Sequence, residues 1–427
     1  MTKKIQIFAA IALLMMTASC SKDDDAPIVA TGITINKTEL ALAAGEHETL
    51  IAEITPNNAA DKTVTWTSNA ENVATVNNEG TVTAISSGNA IITATTANGE
   101  TAVCNVKVQD IYVAGYEEDA NEHRVAKLWK NGVEQPLQFS DNATASIATC
   151  VYVSGNDVYV TGFEDQDQYT RRVAKLWKNG VAYDLSADAP TEWDRSSAYG
   201  VYVENNDVYV VIQKNEEEYY TNTAALWKNG NVWDITDGTR SAHPRSLYVS
   251  GGDVYVAGWE WKENFTYLAK VWKNGVETAL SDRMSFANSV YVSGSDVYAS
   301  GYEEDDNEQH VAKVWKNGVA TTLNSGAGYS EAYAVFVSGN DVYVAGEEDV
   351  NGNNLARLWK NGVATSLGDG ARPACATSVY VSEGNVYVLG VELNSNNKSI
   401  AKVWKNGVEQ NIINGTNSIY TTSLFVK

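Results

Sequence analysis

The chain has 427 residues, a formal charge of −22 and 12 tryptophans, and aromatic residues make up 10% of it. This apolar content is enough for a large core and argues against a disordered chain. The acidic balance would repel phosphate backbones, which makes nucleic acid an unfavourable partner. A chain of this length has room for two or three domains.

Residues 1–19 are predicted to be a lipoprotein signal peptide. Lys3 and Lys4 precede the apolar run Ile5–Met16, which is too short to span a bilayer. The ending Thr17–Cys20 resembles the cleavage box of bacterial lipoproteins. The resemblance implies cleavage before Cys20 and a lipid on its sulfur, which would hold the chain on a membrane.

Residues 20–27 are expected to form a lipidated acidic tether. Lys22 and the run Asp23–Asp25 follow Cys20 directly. A lysine and an acidic run just past the lipid-bearing cysteine resemble the surface-export signal of Bacteroidetes lipoproteins. The resemblance implies an outer-membrane protein at the cell surface, and a solvated linker on a protein that faces the periplasm is the alternative.

Residues 28–109 are predicted to fold as a β-sandwich. Short alternating runs such as Val64–Ser68 and Thr81–Ile85 are separated by turn signals such as Asn77–Gly80. The string VTWTSNAENVATVNNEGTVTAISSGNAIITATT resembles the bacterial immunoglobulin-like group 2 family, in which a Trp, a VATV strand and a final hairpin recur in this order. The resemblance implies a spacer or adhesive module without catalytic residues.

Residues 110–427 repeat one unit seven times. Each unit contains a tryptophan followed by Lys-Asn-Gly, and successive tryptophans are 43 to 50 residues apart. A period of this length indicates a propeller or a solenoid. The seven tryptophans are Trp129, Trp177, Trp227, Trp272, Trp315, Trp359 and Trp404.

The repeat Ser289–Leu323 predicts four antiparallel strands. SVYVS and DVYAS alternate around a two-residue turn, and HVAKVW and VATTL alternate around Lys-Asn-Gly, in which Asn-Gly favours a tight hairpin. Apolar residues at both parities indicate two buried faces, which favours the blades of a closed ring over a solenoid. We expect the tryptophan to fill the wide outer part of each blade, with the lysine in water and its stem over the ring.

The two ends of the repeat region complement each other. The first repeat begins at Asp110–Glu117 without a first strand, and Thr422–Lys427 resembles that strand with nothing after it. Their pairing would complete seven blades and remove two sheet edges. The sequence therefore predicts an all-β chain, with an N-terminal Ig-like β-sandwich followed by a seven-bladed β-propeller closed by the C-terminal strand.

Three cysteines remain beyond Cys20, and they are predicted to be buried apolar residues of strands. Cys104, Cys150 and Cys375 are odd in number, far apart and without metal-ligand spacing. A bridge from Cys104 to the propeller is the alternative.

The long loops share one end of the predicted ring and vary in sequence, so binding is expected on that face or at the channel mouth. Four aromatic residues lie in those loops outside the repeated positions: Trp193, Tyr219, Tyr220 and Trp261. Exposed rings beside carboxylates and amides suit stacking on sugar rings. The alternative is that they fold over neighbouring blades, and Trp233 on an outer strand is expected to pack in this way.

The same loops are acidic, which is typical of a solvated rim. Asp349, Asn351 and Asn353 have the every-second-residue spacing of calcium loops but lack the closing glutamate, so calcium is a weak candidate there and no metal is expected. His123 and His310 stand at similar places beside third strands and are expected on the surface. None of the familiar nucleophile or phosphate-binding motifs is found in the sequence.

These features favour a lipid-anchored binding or interaction protein of the cell surface. Its variable face would contact a glycan or a surface protein, with the Ig-like domain as a spacer. We expect a monomer that takes no cofactor and is not an enzyme. A structural or adhesion component is the alternative, and a propeller-type glycan hydrolase or lyase is a third class. That class would depend on the non-repeated charges Arg171, Arg172, Asp194, Arg195, Arg240 and Arg245.

Overall fold

The computed structural model describes residues 27–166, 171–185, 195–216, 221–263, 266–323, 328–410, 413 and 417–427. Every regular element within these ranges is a β-strand. In this part of the chain there is no helix long and apolar enough to cross a membrane. The predicted fold is confirmed, because an Ig-like β-domain precedes a β-propeller. Cys20 and the predicted signal peptide lie outside the described residues and stay predictions.

The Ig-like domain is a sandwich whose core lies between two sheets. β2, β9, β8 and β5 form one sheet in that order, β3, β7 and β6 form the other, and β1 pairs with β4. Leu50, Val82, Ile92 and Cys104 are at most 1% exposed and belong to one apolar cluster. The strands are β1 Gly32–Ile35, β2 Glu39–Ala43, β3 His47–Thr49, β4 Ala52–Thr55, β5 Val64–Ser68, β6 Ala74–Val76, β7 Thr81–Ala84, β8 Gly88–Thr96 and β9 Thr101–Gln109.

The propeller consists of seven four-stranded antiparallel sheets, here called blades 1 to 7. Blades 1 to 3 are built from β10 Ile111–Glu118, β11 Arg124–Lys130, β12 Val133–Gln135; β13 Ala143–Ser154, β14 Asp157–Gln166, β15 Arg171–Lys178, β16 Val181–Asp184; β17 Ser196–Glu204, β18 Asp207–Glu216, β19 Thr221–Lys228 and β20 Asn231–Asp234. Blades 4 and 5 are built from β21 Ala242–Ser250, β22 Asp253–Lys262, β23 Thr266–Lys273, β24 Val276–Ala279; β25 Ser285–Ser293, β26 Asp296–Glu304, β27 His310–Lys316 and β28 Val319–Thr322. Blades 6 and 7 are built from β29 Ser330–Ser338, β30 Asp341–Val350, β31 Asn353–Lys360, β32 Val363–Ser366; β33 Ala374–Ser382, β34 Asn385–Leu393, β35 Ser399–Lys405 and β36 Val408–Gln410.

The C-terminal strand β37, Ile419–Val426, closes the ring. It becomes the first strand of blade 1 by pairing with β10, from Ile111 opposite Val426 to Glu117 opposite Ile419. A circle of seven aromatic rings, one on the first strand of each blade, returns to its starting point with centroids 4.8–5.0 Å apart. Its members are Tyr152, Tyr202, Tyr248, Tyr291, Phe336, Tyr380 and Phe425. These rings surround the axis at the end of the ring that carries the tight turns.

The repeated tryptophan and asparagine each have a structural task. Trp177, Trp315 and Trp359 are fully buried, each packed against the preceding blade. Asn179 has a φ of 52°, which asparagine tolerates in a tight turn. Its side chain accepts from the Val158 backbone N–H at 2.8 Å, and so ties the turn between the third and fourth strands to the second strand.

The repeated lysine is partly exposed to water, as expected, but it is paired and lies over a tyrosine instead of the tryptophan. Lys178 Nζ is 2.8 Å from Asp157 Oδ2 and 5.3 Å from the centroid of the Tyr159 ring. Asn179 Nδ2 donates to the other carboxylate oxygen at 2.8 Å. We call this lysine, asparagine and aspartate the clasp, because together they join the two tight turns of a blade. It recurs in blades 1 to 6 on Asp110, Asp157, Asp207, Asp253, Asp296 and Asp341.

Blade 7 lacks the aspartate of the clasp, and its clasp lysine contacts the Ig-like domain instead. Asn385 stands in the aspartate position and accepts from the Asn406 side chain at 2.8 Å. Lys405 pairs instead with Glu46 and donates to the Ala41 carbonyl at 3.1 Å, both in the Ig-like domain. The departure of one repeat from the pattern therefore marks the domain contact.

A second contact involves the turn between the first two strands of blade 7. Glu383 occupies a turn position that is glycine in most blades, has a φ of 49° and pairs with Lys107 of the Ig-like domain. The Tyr387 hydroxyl donates to Gln109 Oε1 at 3.2 Å. Only Asp110 separates β9 from β10, so these contacts act on two domains that are joined without a linker.

Candidate functional site

The blades are nearly identical at the end with the tight turns and different at the end with the long loops. Near the long loops, one first-strand residue of each blade pairs with a second-strand residue, which pairs in turn with a third-strand alanine. We call these paired positions the variable layer. From blade 1 to blade 7 they hold Tyr420 and Tyr116, Ile147 and Phe163, Ser197 and Gln213, His243 and Trp259, Phe286 and Tyr302, Glu331 and Glu347, and Cys375 and Val391.

Next to this layer, the first strand of every blade shifts its register by one residue, which is a β-bulge that re-aims the extra side chain. In blades 1, 2 and 5 the bulge residue is a threonine or asparagine that donates to an alanine carbonyl of the next blade at 2.7–3.0 Å. Blades 3, 4 and 6 carry the larger Tyr199, Arg245 and Tyr333 at this position. The bulge also requires a close approach, since a Cβ on Gly301 would lie 1.8 Å from the Phe286 carbonyl oxygen.

Glu347 of the blade 6 pair is buried, and aromatic hydroxyls hold it in place. Its Oε1 accepts from the Tyr333 hydroxyl at 2.7 Å and from Tyr329 at 3.5 Å, and Asn354 donates to Oε2 at 3.2 Å. Burial and the neighbouring Glu331 raise its pKa, and the three donors act against that rise. Hydrogen bonds from these three side chains therefore hold the carboxyl group of Glu347 in place.

Glu331, its partner in the layer, contacts a histidine of blade 5. His310 Nδ1 lies 2.7 Å from Glu331 Oε1, and its other ring nitrogen lies 3.7 Å from Glu304 Oε1. The imidazole also stacks on Tyr302, with ring centroids 4.0 Å apart. Three carboxylates, a histidine and three tyrosines thus meet between blades 5 and 6 at the long-loop end of the ring, which we call the mouth.

Arg245 and His243 lie on the neighbouring side of the mouth, in blade 4. The Arg245 guanidinium is 4.7 Å from the centroid of Tyr199 and 4.4 Å from that of Trp259, a geometry in which both rings stabilise the cation. Burial and this cation lower the pKa of His243 to about 4, so its imidazole is neutral at pH 7. The mouth therefore presents a cation beside blade 4 and carboxylates at blade 6.

Three of the four predicted sugar-stacking residues, Trp193, Tyr219 and Tyr220, lie outside the described residues, and that prediction stays open. Trp261 is on β22 opposite Tyr267 and is 36% exposed. It is located two residues beyond Trp259 of the variable layer, on the side of the long loops. Trp261 therefore lies on a strand near the long-loop end of the ring, and its role in binding stays a prediction.

The calcium candidates of blade 6 form a hairpin instead of a long loop. Val350 pairs with Asn353, so Asn351 and Gly352 are a two-residue turn. Asp349 Oδ1 accepts from the Gly352 N–H at 2.9 Å, and Asn353 Nδ2 donates to the Gly370 carbonyl at 2.7 Å. Within the described ranges there is no group of three or more His, Cys, Asp or Glu side chains suited to a metal ion. Calcium binding at this turn stays a prediction, and the geometry of the turn adds no support for it.

The two histidines expected on the surface have different environments. His123 is in an exposed turn, 3.4 Å from Asp119, whereas His310 begins β27 and belongs to the Glu331 cluster. The expectation was wrong for His310 because the two residues are one position out of register: Arg124, not His123, occupies the equivalent place in blade 1. Counting back from the repeated tryptophan shows this offset in the sequence, since Arg124 and His310 both stand five residues before it.

The non-repeated arginines do not form one cluster, although a parallel β-bridge places Arg172 beside Arg195. Arg172 pairs with Asp165 at 2.7 Å and lies over Phe163 in blade 2, Arg171 and Arg195 are exposed, and Arg240 is 3.6 Å from Glu260 in blade 4. Of this group Arg245 lies in the mouth, and Asp194 is outside the described residues.

The three free cysteines are separate: burial raises the pKa of the Cys104 thiol to about 11 and that of Cys375 to about 12. These thiols are protonated and unreactive at neutral pH.

Sequence comparison identifies the N-terminal domain. Residues 29–106 match the model of the bacterial Ig-like domain, group 2. An uncharacterized protein of Clostridium acetobutylicum is 39% identical over 88 residues, which are 20% of this chain and 9% of the relative. The Ig-like virion protein of Serratia phage KSP90 is 45% identical over 85 residues, 19% of this chain and 33% of the relative. This chain thus spans a third or less of the length of these curated relatives.

Two solved structures resemble the propeller. The β-propeller domain of the trilobed protease from Pyrococcus furiosus superposes with a TM-score of 0.43 and 12% identity, covering 78% of this chain and 96% of that one. Pyrococcus horikoshii acylaminoacyl peptidase gives a TM-score of 0.41 and 12% identity, covering 76% and 48%. The sequence-based prediction that the chain is not an enzyme is corrected by these matches, since the propellers it resembles are parts of peptidases. The likeness assigns no activity, because at this identity it concerns the fold alone.

Proposed function

We propose that this chain is a binding protein of the bacterial cell surface, in which the channel mouth of the propeller binds a glycan and the Ig-like domain acts as a spacer. The observation that carries the proposal is the contrast within each blade. Clasp, tight turns and buried tryptophan are repeated, whereas the variable layer and the bulge residues change from blade to blade. Repeat proteins place their specificity in such variable positions on one face.

The chemistry of the mouth supports a polyhydroxylated ligand. Tyr302, Tyr329 and Trp261 offer partly exposed aromatic faces, and such faces stack on sugar rings. Glu304 and Arg245, which are partly exposed, would supply an acceptor and a donor for hydroxyl groups. A surface protein that reaches into the mouth is the other ligand class, and a glycan array that stays blank while a protein partner is captured would favour it.

The Ig-like domain and the tether would hold the propeller at a distance from the membrane. Lys405 and Glu383 hold the domain against blade 7, so the propeller would extend from the membrane as a continuation of the Ig-like domain. Attachment would come from lipid on Cys20. Labelled palmitate should enter the native chain and not a Cys20→Ala variant, and protease added to whole cells should remove the propeller. Labelling of the variant would contradict the anchor.

A glycan array with the chain from Ser21 onward tests the mouth. Trp261→Ala and Tyr333→Phe should each weaken the binding of any glycan hit by tenfold or more, because one removes a stacking face and the other alters the Glu347 network. Tyr183→Ala is the matched control, since Tyr183 is 51% exposed on the outer strand of blade 2. Unchanged affinity in both mouth variants would exclude the channel mouth as the binding site.

A further inference from the structure

Trp233 is exposed at the outer rim, where the sequence predicted it to pack. It is 50% exposed on β20 of blade 3. The equivalent fourth-strand position is occupied by Thr278, Thr321 and Thr365 in blades 4 to 6. An exposed indole that the repeat does not require needs a separate explanation.

A groove runs beside this indole between blades 3 and 4. It consists of two cavities, of about 260 Å³ and about 400 Å³, that share the lining residues Ile235, Trp272 and Gly275. Trp233 and Leu226 line the first cavity, and the second is mostly polar. The groove thus has an aromatic end and a hydrophilic end.

The groove lies where blade 3 departs from the pattern of other blades, although Trp272 itself stays buried at 1% exposure. In blades 2, 4, 5 and 6 a leucine after the fourth strand covers the tryptophan of the next blade and is 2–8% exposed. Ile235 occupies this position in blade 3, with the same backbone hydrogen bond to a third-strand alanine, yet it is only partly buried. Its shorter, β-branched side chain leaves Trp272 bordering the groove.

The polar end offers hydrogen-bond donors and acceptors with an excess of acids. Asp237 Oδ1 accepts from the backbone and the hydroxyl of Thr239, and Arg240 Nη1 is 3.6 Å from Glu260. Glu277, on the rim, pairs with Lys270, which also binds Glu260. Asp, Thr and Arg side chains next to an aromatic face match the hydroxyl groups and the apolar face of a pyranose. The acids would repel a carboxylated sugar.

We propose that this groove is a second binding site, for a neutral oligosaccharide whose pyranose ring stacks on Trp233. Its polar end would hold the next sugar unit through Asp237 and Arg240. The site lies at the rim of blades 3 and 4, whereas the mouth lies at the axis, so the proposal stands or fails independently of the channel-mouth function.

The test is calorimetric titration of the chain from Ser21 onward with cellobiose, maltose, chitobiose and lactose, and with sialyllactose as the acidic probe. We expect at least one neutral disaccharide to bind. Trp233→Ala should weaken it by tenfold or more, Trp233→Phe should retain part of the affinity, and Asp237→Asn should weaken it less than Trp233→Ala.

Tyr183→Ala is the matched control, because Tyr183 is the exposed ring at the same position of blade 2. This variant should bind as the unsubstituted chain does. The proposal is overturned if none of the neutral sugars binds, if Trp233→Ala binds as well as Tyr183→Ala, or if sialyllactose binds as tightly as the neutral sugars. Trp233 is exposed, so all variants should share one melting temperature.

Discussion

The two ends of the propeller differ in how far the repeats determine them. At the tight-turn end, six blades share one clasp, and seven aromatic rings form an unbroken circle. At the long-loop end, the variable layer changes from tyrosines in blade 1 to glutamates in blade 6. The clasp end maintains the ring, which leaves the other end free to vary. This division separates the residues that hold the fold from those that can acquire a ligand.

The largest effect should come from removing the strand that closes the ring. Deletion of Thr422–Lys427 exposes the edge of β10 and breaks the aromatic circle at Phe425. We expect the deleted chain to lose its cooperative thermal transition, or to aggregate, while a chain lacking only Lys427 keeps its transition. A deleted chain that melts as the intact one does would show that the ring does not depend on closure.

A buried repeat tryptophan should matter far more than an exposed mouth tryptophan. Trp359→Ala removes a fully buried ring that packs against Tyr298 and Leu323 of blade 5, and such truncations cost about 3–5 kcal/mol of unfolding free energy. Trp261→Ala should change the free energy by about 0.5 kcal/mol or less. Denaturant unfolding followed by circular dichroism measures both. Equal losses would mean that the mouth is part of the structural frame.

Much of the clasp end follows from the sequence, because its signals are local. Asn-Gly predicts the hairpin turns, and the missing first strand at Asp110 predicts the closure by Thr422–Lys427. The pairing of Lys178 with Asp157 was missed, because the two residues belong to different hairpins. How those hairpins align with each other cannot be read from either segment alone. The same limit applies to the domain contact through Lys405, which depends on the absence of one aspartate.

The mouth could be predicted as a place but not as a set of residues. Loop variability indicated the correct end of the ring for Trp261. Glu331 and His310 come from different blades, and their contact depends on how adjacent sheets pack around the axis. The bulge that presents Arg245 and Tyr333 shifts the strand by one residue, which alternation of apolar residues cannot show.

His243 gives the mouth a pH dependence between pH 6.5 and about 4, above the window in which the clasp aspartate Asp253 titrates. Its pKa falls from 6.5 to about 4 in the fold, chiefly through burial and then through Arg245. Between these two pH values His243 is protonated in the unfolded chain but neutral in the folded chain. The free energy of unfolding therefore decreases as the pH falls through this window. The contribution is at most about 3 kcal/mol. Unfolding free energies of the native chain and His243→Gln should diverge between pH 7 and pH 4, and parallel curves would contradict the assignment.

The clasp should also lose stability as the pH falls, but in a lower pH window and with the smallest effect. Hydrogen bonds from Lys273 and Asn274 hold the pKa of Asp253 below 3.8. Its contribution is therefore complete above that pH and is lost as the pH falls through the folded value. Asp253→Asn should lower the melting temperature at pH 7 by about 1–2 °C, since the pair is exposed, and the difference should shrink as the pH falls below 3.8.

Blade 7 already contains this substitution, which makes the reverse exchange informative. Asn385 keeps the hydrogen bond to Asn406 and gives up the lysine, which the Ig-like domain then engages through Glu46. Asn385→Asp should draw Lys405 back into a clasp, which would raise the stability of blade 7 while loosening the domain contact. Faster amide exchange at Ala41–Glu46 in this variant, with unchanged exchange in blade 4, is the expected result. Unchanged exchange at Ala41–Glu46 would show that Lys405 does not hold the two domains together. In that case the domain contact would persist even when the Asn385→Asp substitution draws the lysine away from Glu46.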